Sequence, residues 1–134
     1  MKSTAIAVAL LGALVLAGCS TTQVTSVAMG DEKRVCIIDN PRVRGDFAGA
    51  YRRALEGRGF QVEVLPESAE ISACPVTSRF TGNYYWDLIV YLKYAEIQVY
   101  RDGKAAGRAV YNAEASRSTP ESTIRSMVDE LFKN

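Results

Sequence analysis

The fold of this chain is decided by residues 34–66, RVCIIDNPRVRGDFAGAYRRALEGRGFQVEVLP. Arg34–Asp39 is a short apolar run with β-branched residues on both faces, which is typical of a strand covered on two sides. Apolar side chains then recur at the spacing of an amphipathic helix of about four turns: Phe47, Ala50, Tyr51, Ala54 and Leu55. Gly59 supplies the residue that commonly closes a helix. Gln61–Leu65 alternates as a half-buried strand, so the stretch predicts a βαβ unit with a right-handed crossover.

Two β-prone stretches follow this unit. Cys74–Thr81 is interpreted as a short strand with an irregular start, because proline follows its first residue. Tyr85–Tyr100 is strongly β-prone, but its apolar residues change parity midway. A bulge near Lys93 or Tyr94 resolves that conflict, and so does a turn at the same place.

The remaining sequence predicts a hairpin and a closing helix. Asp102-Gly103 accepts the positive φ angles of a tight turn, after which Ala105–Tyr111 returns antiparallel. Ser118 or Thr119 caps the last helix, and Pro120 suits its first turn. The order is β-α-β-β-β-β-α. We expect an α/β (α+β) domain with a mixed sheet of about five strands and two helices on one face, the other face being only partly covered.

The segment before this domain is typical of an export signal. A single cation, Lys2, precedes a long apolar run that closes on Leu16-Ala17-Gly18-Cys19, and this ending resembles the lipobox of bacterial lipoproteins. The resemblance implies cleavage of the signal peptide 1–18, diacylglycerol on the Cys19 sulfur and a further acyl chain, such as palmitate, on its amino group. An ordinary signal peptide with a chance cysteine and a transmembrane anchor are the alternatives, although the run is shorter than the roughly 20 residues of a spanning helix.

The residues after Cys19 bear on location and domain boundaries. The sorting rules that come with the lipobox resemblance allow export to the outer membrane when serine follows the cysteine, as Ser20 does. Residues 19–32 are interpreted as the lipidated cysteine and a flexible tether, and residues 33–134 as a single domain. We therefore expect a lipid-anchored protein on the periplasmic face of the outer membrane, with no cofactor besides the covalent lipid.

Charge and cysteine count narrow the possible partners. The chain has 16 Lys and Arg and 15 Asp and Glu; Lys2 leaves with the signal, so 15 of each remain. A neutral domain gives no electrostatic reason to expect nucleic acid or an anionic membrane surface as a partner.

With Cys19 lipidated, Cys36 and Cys74 are left in an oxidising compartment, which predicts a disulfide between them. Two unrelated buried thiols are the alternative.

Two resemblances support this interpretation. The order of elements resembles a small α/β module of envelope proteins, which occurs in the Tol-system periplasmic propeller protein, in lipoprotein activators of peptidoglycan synthases and in curli secretion-channel lipoproteins. About residues 34–134 are more closely similar to an uncharacterised family of proteobacterial lipoproteins known by a locus label. Five segments carry that similarity: Val35–Pro41, Ala73-Cys74-Pro75, Trp86-Asp87-Leu88, Tyr94–Ile97 and Ala109-Val110-Tyr111. It implies the fold and the disulfide, and no activity.

The sequence offers little for catalysis. The chain has no histidine, which excludes the commonest general base, the usual catalytic triads and imidazole zinc sites. Cys36 and Cys74 lack the close spacing of a redox pair, and no glycine pattern matches a phosphate-binding loop. Asp39 and Asp87 are explained better as turn or strand-end hydrogen-bonding groups than as catalysts. Nothing in the sequence places either of them, or Glu96, at a catalytic separation from another carboxylate. We therefore do not expect an enzyme or a metal site.

Aromatic side chains between residues 84 and 111 provide the binding hypothesis. The candidate partner contacts are Tyr84, Tyr85, Tyr91, Tyr94 and Tyr100. Tyrosine is enriched at interfaces, although packing within the sheet is the alternative. We expect a non-catalytic binding or assembly module of the cell envelope with a protein partner. A small protective or inhibitor lipoprotein directed at a cell-wall-degrading enzyme is the second hypothesis.

Overall fold

The computed structural model of the chain describes residues 20–133, so the predicted signal peptide and Cys19 lie outside the described residues. The elements in chain order are β1 Ser20–Thr25, β2 Arg34–Ile38, α1 Phe47–Gly57, β3 Gln61–Leu65, β4 Val76–Asp87, β5 Ile89–Arg101, β6 Lys104–Ala113 and α2 Pro120–Leu131. One six-stranded sheet has the order β1-β6-β5-β4-β2-β3. β2 pairs in parallel with β3 and β4, and the other neighbours are antiparallel. The predicted mixed α/β (α+β) class is confirmed, with six strands instead of about five.

β2, α1 and β3 form the predicted βαβ unit. Asp46 caps α1, because its side chain accepts a hydrogen bond from the Gly49 backbone N–H at 3.2 Å. The helix spans 11 residues, which is about three turns instead of four. Gly59 has φ +91°, and this left-handed conformation turns the chain out of the helix towards β3.

Both helices pack on one face of the sheet and enclose the core. The largest buried side chains come from the helices and from the sheet residues that face them: Tyr51, Phe47, Phe132, Ile37, Leu55 and Leu92. Tyr51 is fully buried, and its hydroxyl lies 2.8 Å from the Ser78 hydroxyl. Since Ser78 donates its own proton to the Gln98 carbonyl, Tyr51 is the donor to Ser78. Burial raises the pKa of Tyr51, so the phenol stays protonated.

The flexible tether predicted for residues 20–32 is wrong for residues 20–29, which belong to the folded domain. Ser20–Thr25 forms the edge strand β1 and pairs with β6 over its whole length. Val27 and Met29 are 1% and 2% exposed and belong to the core, and the Val27 N–H donates to the Leu131 carbonyl. A Cβ at Gly107 would lie 2.9 Å from that of Val27, so this glycine makes room for the segment. Serine, threonine and glutamine suit an exposed edge strand as well as a linker, and composition does not separate the two.

The β-prone stretch beginning at Tyr85 is two strands and not one. β4 runs on to Asp87, beyond the predicted end at Thr81, and pairs with β5 across a turn at Leu88. Asp87 is the one turn-favouring residue beside Leu88, and without a glycine, proline or asparagine next to it the sequence pattern did not locate the turn.

The bulge predicted near Lys93 or Tyr94 is confirmed and lies in β5. Asn83 pairs with Tyr94 and Tyr84 pairs with Leu92, so Lys93 has no partner in the register. The extra residue lets Leu92 and Ala95, three positions apart, both enter the core. The alternative of a turn near Lys93 is wrong.

The second hairpin and the last helix are as predicted. Asp102 and Gly103 have φ angles of +51° and +77°, which a tight turn between β5 and β6 requires. Thr119 caps α2 by accepting from the Ser122 N–H at 3.1 Å, with Pro120 in the first turn. The buried stripe of α2 consists of Thr123, Ile124, Met127, Val128 and Leu131.

Candidate functional site

The five tyrosines predicted to bind a partner occupy three different environments. Tyr84 and Tyr91 are packed within the domain, Tyr85 lies on the projecting end of the β4–β5 hairpin, and Tyr94 and Tyr100 lie on the open face of the sheet. The structure therefore divides the predicted set and does not bring it together as one surface.

Tyr84 and Tyr91 are structural residues. The Tyr84 ring lies over Gly45, where a Cβ would stand 3.0 Å from the ring's Cζ. Burial raises the pKa of Tyr84 to about 12, and the nearby Asp46 carboxylate adds to the shift. Tyr91 is 6% exposed, and its hydroxyl donates to the Glu114 carbonyl at 3.5 Å. Tyr91 is therefore closed to a partner, and Tyr84 is partly buried against the core.

The face of β5 away from the helices carries a continuous polar and aromatic row. Its members alternate with the buried Ala95, Ile97 and Val99, which places them on the opposite face of the sheet. We call them the outer-face row: Tyr94, Glu96, Gln98 and Tyr100. Each is partly exposed, so the row belongs to the surface of the domain.

Hydrogen bonds link every member of the outer-face row. The Tyr100 hydroxyl donates to Gln98 Oε1 at 3.0 Å, and Gln98 Nε2 donates to Glu96 Oε1 at 2.8 Å. The Tyr94 hydroxyl donates to Glu96 Oε2 at 2.7 Å. Arg108 on β6 donates its Nε proton to Glu96 Oε1 at 2.9 Å. Glu96 is the centre of the network, and the side chains are held in one arrangement before any partner binds.

The electrostatics of the row follow from these contacts. The hydrogen bond from Arg108 is the largest cause that lowers the pKa of Glu96, and the bond from Tyr94 adds to it. In turn the bond to Glu96 raises the pKa of Tyr94. Glu96 is therefore ionised and Tyr94 neutral at neutral pH, which keeps the donor and acceptor pattern constant.

A second surface, which the sequence analysis did not identify, is the end of the β4–β5 hairpin. We call it the hairpin tip, and its exposed apolar side chains are Tyr85, Trp86, Leu88, Ile89 and Val90. Their exposed fractions run from 45% for Ile89 to 86% for Leu88. Leu88 also has φ +62°, a conformation that is strained for a leucine. The unbroken apolar run from Leu88 to Leu92 was the sequence signal for this surface. Consecutive strand residues alternate between the two faces of a sheet, so a single buried face cannot cover all five.

Cations surround the base of the hairpin tip. Arg117 and Asp87 line a cleft of about 550 Å³ beside Leu88 and Tyr91. The ammonium of Lys93 lies 4.4 Å from the centre of the Tyr85 ring, which is a cation–π distance. On the other side of the hairpin, Arg42 and Arg44 line a smaller cleft together with Tyr84 and Tyr85.

The predicted disulfide is confirmed. Cys36 on β2 and Cys74 before β4 are bonded, with an S–S distance of 2.04 Å and a Cα–Cα distance of 6.2 Å. Both cysteines are buried. The bond ties the connection between β3 and β4 to β2.

Two further observations concern metals and membranes. Between residues 20 and 133, no group of three or more His, Cys, Asp or Glu side chains is arranged to hold a metal ion. Within the same range, neither helix has the length and apolar character needed to span a bilayer.

Comparison with known proteins shows the fold. No protein-family model matches the chain, and no curated protein is significantly similar to it. Among solved structures, it is similar to the PelC dodecamer from Paraburkholderia phytofirmans, with a TM-score of 0.62 and 15% sequence identity over 84% of this chain and 98% of that chain. A leucine-to-methionine variant of the same dodecamer gives a TM-score of 0.58 and 14% identity, over 83% of this chain and 94% of that chain. At this identity the similarity establishes that the two proteins share an architecture.

Proposed function

We propose that the chain is a lipid-anchored, non-catalytic binding and assembly module on the periplasmic face of the outer membrane. The lipobox at Cys19 supports the anchor, and Ser20 supports the destination. The observation that carries the binding role is the outer-face row, a partly exposed set of hydrogen-bonded tyrosine, carboxylate and amide groups on a face that no helix covers.

The fixed arrangement of its side chains makes the outer-face row suitable for binding. A partner that meets flexible side chains must pay for their immobilisation, at about 0.5–1.5 kcal/mol per rotamer-rich side chain. Here Glu96 holds Tyr94, Gln98 and Arg108 in place beforehand. Tyrosine and arginine are also the residues most enriched at protein interfaces. An envelope protein is therefore the partner that this surface fits best.

Partner capture from crosslinked envelopes tests this surface. Tyr94→Ala and Tyr100→Ala are expected to reduce capture of the same partner while leaving the melting temperature almost unchanged, since both side chains are partly exposed. Arg125→Ala is the matched control, because Arg125 is exposed on α2 at the opposite side of the domain. Capture that is unchanged in both tyrosine variants would refute the assignment. Recovery of a peptidoglycan hydrolase as the partner would instead favour the inhibitor hypothesis.

The anchor is tested separately by Cys19→Ser. We expect the variant to leave the outer-membrane fraction or to keep its signal uncleaved, because several acyl chains on one cysteine provide the attachment. A Cys19→Ser protein that still fractionates with the outer membrane would contradict the anchor.

Self-assembly is a second candidate. The similar solved structures are dodecamers, and both edges of this sheet, β1 and β3, have one strand neighbour each. Unpaired strand edges are sites at which further chains can add. The mass of the full-length lipidated protein in mild detergent, measured by light scattering, tests the idea, and a monomer at all concentrations would exclude it.

A further inference from the structure

We propose that the hairpin tip inserts into the surface of the membrane that carries the lipid anchor, as a second and independent attachment. The partner of this surface is a phospholipid bilayer. The proposal rests on the proposed lipid anchor at Cys19, but it concerns a different part of the domain from the outer-face row and does not depend on a protein partner.

Exposed apolar area is concentrated in the hairpin tip. Six large hydrophobic side chains between residues 20 and 133 are exposed, and five of them are Tyr85, Trp86, Leu88, Ile89 and Val90. The sixth, Val64, is on β3. Scattered exposed hydrophobics are ordinary, but a contiguous group marks an interaction surface. Leu88 is the most exposed of them at 86% and also has the strained backbone, so the structure maintains an unfavourable residue at the extreme end.

The direction of the tip follows from the strand register. Ser20 pairs with Ala113 on β6, one position beyond the pair Asn112–Tyr94. Ser20 therefore lies level with Lys93 of β5, at the end of the sheet from which the hairpin projects. Cys19 is bonded to Ser20, and its acyl chains would enter the bilayer at this same end.

The distance also fits. Leu88 is five residues beyond Lys93, which at about 3.3 Å per residue carries it roughly 15 Å past Ser20. Interfacial protein segments bury their apolar side roughly 5–10 Å deep, at the boundary of headgroups and acyl chains. The hairpin is therefore long enough for its tip to reach that depth when the domain is held at the membrane surface by Cys19. Tryptophan and tyrosine are the residues that favour this region.

The charges at the base of the tip complement a phospholipid surface. Lys93, Arg44 and Arg117 lie beside the tip, where lipid phosphates would lie if the tip is inserted. The domain has no net charge to attract it to a membrane, so this cationic group acts locally. One carboxylate, Asp87, lies within the tip and opposes insertion.

Trp86 provides a direct test, because it is the single tryptophan of the chain. The full-length protein, purified with its lipid, is reconstituted into vesicles of phosphatidylethanolamine and phosphatidylglycerol that contain brominated phospholipid. We expect Trp86 emission at shorter wavelength than in the same protein unfolded in urea. We also expect strong quenching by the bromolipid and weak quenching by aqueous iodide.

Matched variants make the result decisive. Leu88→Asp combined with Ile89→Asp should abolish the bromolipid quenching and expose Trp86 to iodide, while the lipid keeps the protein on the vesicles. Val64→Asp, an equally drastic change roughly 30 Å from the tip along the strands, should leave both quenching signals unchanged. Efficient iodide quenching in the unmodified protein would overturn the proposal. Short-wavelength emission without bromolipid quenching would also overturn it, because the tip would then be buried in protein.

Discussion

Ser20 and Leu88 lie at the same end of the sheet, one where β1 begins and the other where the β4–β5 hairpin turns. The chain therefore enters the domain beside its most exposed apolar group. With a flexible linker in place of β1, the proposed anchor at Cys19 would leave the orientation of the domain on a membrane undefined. Because β1 is paired with β6 along all six residues, Ser20 and the hairpin tip are held in a nearly constant relation.

The first prediction concerns the disulfide. Replacing Cys36 and Cys74 together by alanine is expected to lower the free energy of unfolding by roughly 3–4 kcal/mol, since the bond closes a long loop in the unfolded chain. Urea unfolding with and without reductant measures the effect. Reductant should destabilise the unmodified protein and leave the double variant unchanged; equal sensitivity of the two would contradict the assignment.

The second prediction concerns the buried pair Tyr51 and Ser78. Ser78→Ala leaves the Tyr51 hydroxyl without its acceptor in the core and is expected to cost about 1–3 kcal/mol, more than the roughly 1 kcal/mol of Tyr51→Phe. The combined variant should cost less than the sum of the two, because no orphaned hydroxyl remains. Strictly additive losses in denaturant unfolding would show that the two residues are not coupled.

The third prediction concerns pH. The pKa of Glu96 is lower in the folded state, chiefly through Arg108, so ionised Glu96 stabilises the domain above the unfolded glutamate pKa of about 4.3. That contribution is lost as the pH falls through the lower folded value. In thermal unfolding followed from pH 7 downward, Glu96→Gln should be less stable than the unmodified protein at pH 7, and the difference should narrow below about pH 4.3.

An Arg108 variant provides the control for this pH dependence. Arg108→Gln removes the main cause of the shift, so this variant should be less stable than the unmodified protein at neutral pH and should lose less stability on acidification. A stability difference between the Glu96→Gln variant and the unmodified protein that stays constant with pH would rule out the coupling.

The fourth prediction concerns Leu88, whose replacement should raise stability in solution and weaken attachment to the membrane. Leu88→Gly removes the backbone strain of a leucine at positive φ, which is about 1–3 kcal/mol. The glycine adds an entropic cost on folding of about 0.5–1 kcal/mol, which is smaller. We expect a higher melting temperature in solution together with weaker bromolipid quenching of Trp86. A lower melting temperature would show that Leu88 makes stabilising contacts within the hairpin.

The fifth prediction concerns Asp87, the carboxylate within the hairpin tip. Asp87→Asn removes a charge whose transfer towards the acyl chains is unfavourable. We expect stronger bromolipid quenching of Trp86 in the variant than in the unmodified protein. Asp129→Asn, on the exposed side of α2, is the control and should not change the signal.

The sequence by itself determined the elements whose signals are local. The βαβ unit follows from a change of hydrophobic period within residues 34–65, and the closing helix follows from Thr119, Pro120 and an apolar stripe. The Asp102-Gly103 turn requires positive φ angles that those two residues accept. Prediction of the disulfide required only that two cysteines remain besides Cys19, since two cysteines allow a single pairing. Each of these features depends on neighbours in the chain or on counting.

Tertiary structure decided the features that depend on distant partners. Ser20–Thr25 is a strand because it pairs with the edge of β6. Its own polar composition does not predict this pairing. The turn at Leu88 is set by the pairing of β4 with β5, which overrides the poor turn propensity of leucine. Leu92 and Ala95, three positions apart, both face the core because a bulge at Lys93 changes which face the following residues occupy. Side chains alternate strictly along a strand, so one inserted residue reverses the exposure of all that follow, and long-range pairing determines where that insertion falls.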